Sequence, residues 1–168
     1  MRLFVAVRPT DDVLDAIAAL DRAALVGTRW TTREQWHVTL RFLGEVEDSA
    51  PVIDTLVRAS LPTAHAVMGP RAGMLGRGVV QLPVAGLSEL ASIVTDLTAT
   101  HGEPPERRRF RGHLTLARTR ARVDTQTLVV EREWVVDEIE VIRSHLGRGG
   151  ARYETLARCA SGGLRGGV

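Results

Sequence analysis

"HVTL", residues 37–40, and "HLTL", residues 113–116, repeat one pattern at two places in the chain. In an extended strand, successive side chains point to opposite faces. His37 and Thr39 therefore share one face, and Val38 and Leu40 the other. His113 and Thr115 separate from Leu114 and Leu116 in the same way. Each stretch offers an imidazole and a hydroxyl on one side and buries two aliphatic residues on the other. Taken singly, either reads as a strand with a histidine at its rim. Written twice in a 168-residue chain, the pattern predicts two adjacent strands whose histidines and threonines converge on one cleft.

Outward from these stretches, helices and strands alternate. "RLFVAVR", residues 2–8, reads as the first strand. Thr10 then caps a helix whose first turn holds Asp11 and Asp12, where acids suit the helix dipole. Val13, Ile17, Leu20 and Ala24 recur at helical spacing as its buried stripe. "WHVTLRFLG" is the second strand, ended by Gly44. Asp48 or Ser49 caps a second helix, with Pro51 in its first turn and Val52, Ile53, Leu56 and Val57 buried. Two strands near 64–75 and 78–84 join across the turn Gly76–Gly78. Leu87, Leu90, Val94 and Leu97 mark a third helix. "HGEPPERRRFRG" is a loop, "HLTLART" a strand, and a short helix is predicted near 124–130. "WVVDEIEVIRSHL" reads as one long strand with a slip in its alternation. "GRGGARYETLARC" is a glycine turn and a final strand, and residues 161–168 form a frayed tail. Residues 1–160 make one domain, in which each half repeats a strand, a helix and a histidine strand. That order suggests a diverged duplication of one α+β unit.

Composition fits a globular protein, with 44% hydrophobic and 25% charged residues. No apolar run is long enough to span a membrane. The opening "MRLFVAVRPTDDV" lacks the features of a signal peptide. The single cysteine, Cys159, fits neither an internal disulfide nor a metal spacing. A cytoplasmic monomer is the expectation. All 22 basic residues are arginine, as a GC-rich coding sequence would give, yet the net charge is only +2. That excludes a polycation wrapping nucleic acid non-specifically. A local cluster matters more: Arg107, Arg108, Arg109 and Arg111 lead into His113, either as a solvated loop or as a funnel for anions.

Two histidines and two threonines suit phosphodiester chemistry. A neutral imidazole accepts a proton from an attacking water, and a protonated one donates to the leaving oxygen. Threonine hydroxyls and an arginine donate to the non-bridging phosphate oxygens. The chemistry calls for no metal or cofactor, and His65, His101 and His145 lack partners at ligand spacing.

The chain resembles the RNA 2′,3′-cyclic phosphodiesterase family, long called 2′-5′ RNA ligases, within the two-histidine phosphoesterase superfamily. The resemblance is carried by "MRLFVAV" at the start, "HVTLRFLGEV" at 37–46, "RRFRGHLTLAR" at 108–118 and "VIRSHLGRGGARYETLAR" at 141–158, in order over nearly the whole chain. It implies an α+β, bilobal fold with two pseudo-symmetric lobes, each an antiparallel sheet backed by helices, and the active-site cleft between them. It implies metal-independent hydrolysis of an RNA 2′,3′-cyclic phosphate end to a 2′-phosphomonoester, with reversible 2′-5′ ligation. His113 would be the proton acceptor and His37 the proton donor. Thr39 and Thr115 would hold the phosphate.

Arg118, five residues after His113, matches a family arginine near the phosphate. Its parity is wrong in a regular strand, so it needs a bulge or the strand's end to reach the cleft. Phe42 matches an aromatic that stacks on a base, yet its parity groups it with the core. Arg41 shares the face of His37, where it could meet RNA phosphate or simply stand exposed. Arg111 and Tyr153 are further candidates for RNA contacts, Tyr153 equally for packing. Gly112 stands where relatives commonly carry proline. Trp30, Trp36 and Trp134 read as packing. Rival readings keep the chemistry on a small cyclic nucleotide, a 2′-5′ oligonucleotide or ADP-ribose cyclic phosphate, or propose a nucleotide-binding module without turnover. Intact histidines and threonines in both motifs weigh against the last.

Overall fold

The computed structural model describes residues 1–162. The sheet runs in the order β10-β9-β1-β3-β7-β6-β4-β8. Here β1 is Arg2–Val7, β3 Val38–Glu45, β4 Ala64–Met68 and β6 Val79–Ala85. The others are β7 His113–Arg118, β8 Arg132–Val136, β9 Glu138–Gly147 and β10 Gly150–Ala160. The short β2 (Arg29–Trp30) pairs with β7, and β5 (Gly73–Leu75) with β6. All pairings are antiparallel. One registered pair, Val38 with Leu114, joins β3 to β7. The sheet thus divides into two lobes of four strands, β10-β9-β1-β3 and β7-β6-β4-β8, whose histidine strands meet at the seam.

The lobes are not the two halves of the chain, because the last two strands return to complete the first lobe. This accounts for one departure from the sequence reading. The stretch 134–146 is two strands, since β8 pairs with β4 in the second lobe and β9 with β1 in the first. Asp137 is the crossing point, and its carbonyl accepts from Ser161 N–H at 2.7 Å. Ser161 is buried, and Gly162 N–H donates to Leu61 O at 2.7 Å. Of the tail expected to fray, these two residues are held, and 163–168 lie outside the described residues.

Three helices cover the sheet. They are α1 (Asp11–Ala18), α2 (Ala50–Arg58) and α3 (Ser88–Leu97). They cross between lobes: α3 packs on β3 and α2 on β10, whereas α1 packs on β8. In α1, Val13 and Ile17 are buried. The helix ends before Leu20 and Ala24, so the expected stripe is cut short. Thr10 makes no side-chain cap; its hydroxyl donates to Asp12 at 2.5 Å. In α2 the side chain of Asp48 accepts from Ala50 N–H at 3.0 Å and Pro51 occupies the first turn. Val52 and Leu56 face the core, but Val57, about 100° further round the helix, is exposed.

Two other expectations fail for tertiary reasons. The strand expected over 64–75 divides at Gly69–Pro70: β4 lies between β8 and the end of β6 at 84–85, whereas β5 pairs with the start of β6 at 79–81. Residues 124–130 form no helix. Leu128 and Val130 are buried and Val129 between them is exposed, the alternation of a strand. Arg71 and Val129 form a β-bridge, and Val130 N–H donates to Pro70 O at 2.8 Å.

Strand β1 is buried on both faces, which explains its unbroken apolar run. Leu3, Val5 and Val7 enter the main core. Phe4 and Ala6 form a second cluster with Ile142, against which Phe42 and Tyr153 pack. That second cluster is the floor of the cleft.

Candidate functional site

In an antiparallel pair, the Val38–Leu114 register sets His37 across from Thr115 and Thr39 across from His113. A pseudo-two-fold axis through this pair brings all four side chains to one face. They line a cleft of about 280 Å³ together with Arg2, Phe4, Arg29, Phe42, Arg118 and Tyr153.

Both rings are held by the same device. His37 donates Nδ1–H to Gln35 O at 2.7 Å, and His113 donates Nδ1–H to Arg111 O at 2.9 Å. Each carbonyl lies two residues upstream. With Nδ1 carrying the proton of the neutral ring, Nε2 of each is the atom left for chemistry. His37 Nε2 lies 3.2 Å from Thr39 Oγ1.

Both strands also bulge just after their threonine. Thr39 pairs with Ala6 and Arg41 with Val5, leaving Leu40 extra. Thr115 pairs with Gln81 and Ala117 with Val80, leaving Leu116 extra. A bulge shifts side-chain parity by one. Arg118 therefore regains the face of His113, as the sequence reading required. Phe42 likewise joins His37 on the cleft face, not the core. Arg41 moves the other way. It is buried, donates to Phe42 O at 2.8 Å and to Glu103 O, and cannot meet RNA phosphate there. Burial, opposed by Glu106 and Glu103, lowers its pKa.

Arg111 contributes its carbonyl to His113, and its side chain does not line the cleft. Arg107, Arg108 and Arg109 do not line it either, and Arg108 is paired with Glu106. Gly112 is required by packing, because a Cβ there would collide with Val84 O. Trp36 is core, but Trp30 lines the cleft.

The surroundings of the two histidines differ. His37 packs against Phe4 with ring centroids 4.9 Å apart, and Tyr153 meets it edge-on at 5.1 Å. Burial in this box, reinforced by the Arg8 and His113 charges, lowers the His37 pKa from 6.5 to about 4. The hydrogen bond to Gln35 and the charge of Glu140 oppose the shift. Glu140 is buried and accepts from Arg8 Nε at 2.8 Å and Thr155 at 2.9 Å. Burial raises the Tyr153 pKa, against the charges of Arg118 and Arg2.

Residues 29–36 do work that the sequence reading missed. Thr31 Oγ1 lies 2.8 Å from both Thr115 O and Leu116 O and accepts from Trp36 Nε1 at 3.0 Å. It thereby fastens the second bulge. Gln35 Oε1 accepts from Thr32 N–H at 3.0 Å, and its Nε2 donates to Ala151 O at 2.6 Å. The signal was present as Thr32-x-x-Gln35, a capping-box spacing. Elsewhere His145 meets Glu154 at 2.7 Å and His65 meets Glu133 at 3.5 Å. No group of three His, Cys, Asp or Glu side chains among the described residues is arranged to hold a metal ion. Among the described residues no helix is long and apolar enough to cross a membrane.

Residues 5–64 match a family model described as LigT-like phosphoesterase. The fold is similar to that of TT0787 of Thermus thermophilus, with a TM-score of 0.81 and 27% identity over 95% of this chain and 97% of that one. The apo form of E. coli LigT gives 0.79 and 26%, covering 95% and 96%. The same protein in complex with 3′-AMP gives 0.77 and 26%, covering 95% and 97%. The chain thus resembles LigT-like phosphoesterases in fold along nearly its whole length, and in sequence over residues 5–64.

Proposed function

We propose that this cleft hydrolyses the 2′,3′-cyclic phosphodiester at an RNA end to a 2′-phosphomonoester. The observation that carries the proposal is the matched presentation of two Nε2 atoms, with two threonines and Arg118, on one face. Water attacks phosphorus and gives its proton to His113 Nε2. The bond to the 3′-oxygen breaks, and that oxygen takes the proton held on His37 Nε2. Each transfer is worth about 10²–10⁴-fold in rate. Thr39, Thr115 and Arg118 donate to the non-bridging oxygens as their charge grows. With the 5′-hydroxyl of a second RNA in place of water, the same steps form a 2′-5′ linkage. The complex of E. coli LigT with 3′-AMP supports a nucleotide in this cleft. The working unit is a cytoplasmic monomer.

In this scheme His37 must be protonated when substrate is bound. The negative phosphodiester supplies the needed upward shift, because an opposite charge nearby favours the charged ring. The lowered pKa of free His37 favours a second reading, in which His37 is the base and His113 the acid.

The test uses a short RNA ending in a 2′,3′-cyclic phosphate, with chelator present. A 2′-phosphate product is expected, and H37A and H113A should each lower kcat/KM by about 10²–10⁴-fold while remaining folded. A 3′-phosphate product would overturn the leaving-group assignment. Wild-type rates in the double variant would overturn the whole proposal.

A further inference from the structure

Arg2, Arg29 and Arg118 line the cleft, and no Asp or Glu lines it with them. A cyclic phosphodiester carries one negative charge, and Arg118 already serves it. The Arg2 guanidinium lies over the Phe42 ring, 4.7 Å from its centroid. Arg29 is left without a task. It pairs with Arg118 across β2 and β7, so the two side chains share the cleft face. Both nitrogens of its guanidinium end lie 3.1 Å from where a Cβ on Gly150 would sit. Gly150 has φ +108°, and its missing side chain leaves the seat that Arg29 occupies. Arg29 thus reaches from the end of the second histidine strand to the β9–β10 turn. Its position next to that turn is braced by the bond from Gln35 to Ala151 O.

We propose that Arg29 is the seat of a second phosphate, the one on the 5′ side of the substrate's terminal ribose. This rests on the phosphodiesterase reading above and narrows it to substrates that carry that phosphate. A planar guanidinium can grip two phosphate oxygens at once. Any RNA longer than one nucleotide supplies such a phosphate as an internal diester. A mononucleotide supplies it only as a 5′-phosphate monoester. A bare nucleoside 2′,3′-cyclic phosphate has none, and would leave Arg29 unused.

The test compares kcat/KM for three substrates: cytidine 2′,3′-cyclic phosphate, the same compound with a 5′-phosphate, and a dinucleotide ending in the cyclic phosphate. The wild-type protein should favour the phosphate-bearing pair by about fivefold, the scale of an exposed ion pair. R29A should bring that preference toward one, and R29K should restore part of it. For the dinucleotide, the slope of log kcat/KM against log salt should fall by about 0.7 in R29A. A gain for the dinucleotide alone assigns the seat to an internal diester; a gain for both assigns it to either form. Equal wild-type rates on all three substrates would overturn the subsite, as would an equal loss in R29A on all three. If the wild-type protein hydrolyses none of them, the phosphodiesterase reading falls instead. The subsite is then judged by calorimetric binding of a dinucleotide 3′-phosphate against cytidine 3′-phosphate. A wild-type preference lost in R29A would uphold it, and equal affinities would overturn it.

Discussion

The two histidine strands are copies in backbone and opposites in surroundings. Each ring is oriented by a carbonyl two residues upstream. Each strand bulges at the leucine after its threonine, and each brings the fifth residue after its histidine into the cleft. There the symmetry ends. The first copy delivers Phe42 and the second Arg118. His37 sits in a box of Phe4 and Tyr153, whereas no ring packs against His113 among the described residues. Backbone register fixes where the nitrogens point, and side-chain packing lowers the proton affinity of the His37 ring. In the proposed reaction this difference in surroundings divides the pair into one acid and one base.

The largest effect that tests this division is at the leaving group. An alanine at either histidine should cost about 10²–10⁴-fold on a ribose leaving group, which needs a proton to depart. A phosphodiester with a p-nitrophenolate leaving group departs without one. On that substrate the acid variant should keep most of the wild-type rate, and the base variant should stay impaired. Sparing of H37A supports His37 as acid, and sparing of H113A reverses the roles. Equal impairment of both variants on both substrates would break the division into one acid and one base.

The next effect is smaller and is confined to the second copy. T31V keeps the shape of Thr31 but removes the hydroxyl that meets Thr115 O and Leu116 O. It also strips the partner from Nε1 of Trp36, a buried side chain. Leaving such a group unsatisfied costs about 1–3 kcal/mol, which for a chain of this size lowers Tm by about 2–4 °C per kcal/mol. Because the bulge aims Arg118, kcat/KM should fall as well. An unchanged Tm would show that Thr31 does not hold the second bulge.

The paired motif and the alternation of helices and strands were legible because they follow from local periodicity. What the sequence hid lies in pairings between distant residues. Counting parity through a regular strand put Arg41 in the cleft and left Phe42 with the core, and one bulge reverses both. Leu40 does not announce that bulge, since an extra aliphatic looks like any other core residue. Arg118 was easier, because its wrong parity could be reconciled with the family pattern only by a bulge or a strand end. The division at Asp137 was hidden for a similar reason. Residues 132–147 have strand character throughout, and only their two different partners separate them.

The smallest predicted effect concerns the box itself. Followed by NMR of the ring protons, His37 should titrate near 4, well below its ordinary value of 6.5. F4L removes one wall of the box, so the His37 pKa should rise part of the way back. The sign carries into stability. A lowered folded-state pKa means that the unfolded chain binds this proton first as pH falls. His37 therefore withdraws stability between about 6.5 and 4, at a slope of at most about 1.4 kcal/mol per pH unit. Below that window both states are protonated and the slope vanishes. In F4L the acid end of the window should move upward, a change read from urea unfolding at pH 6.5 and 4.5. If His37 instead titrates at its ordinary value in the wild-type protein, the aromatic box does not lower its proton affinity.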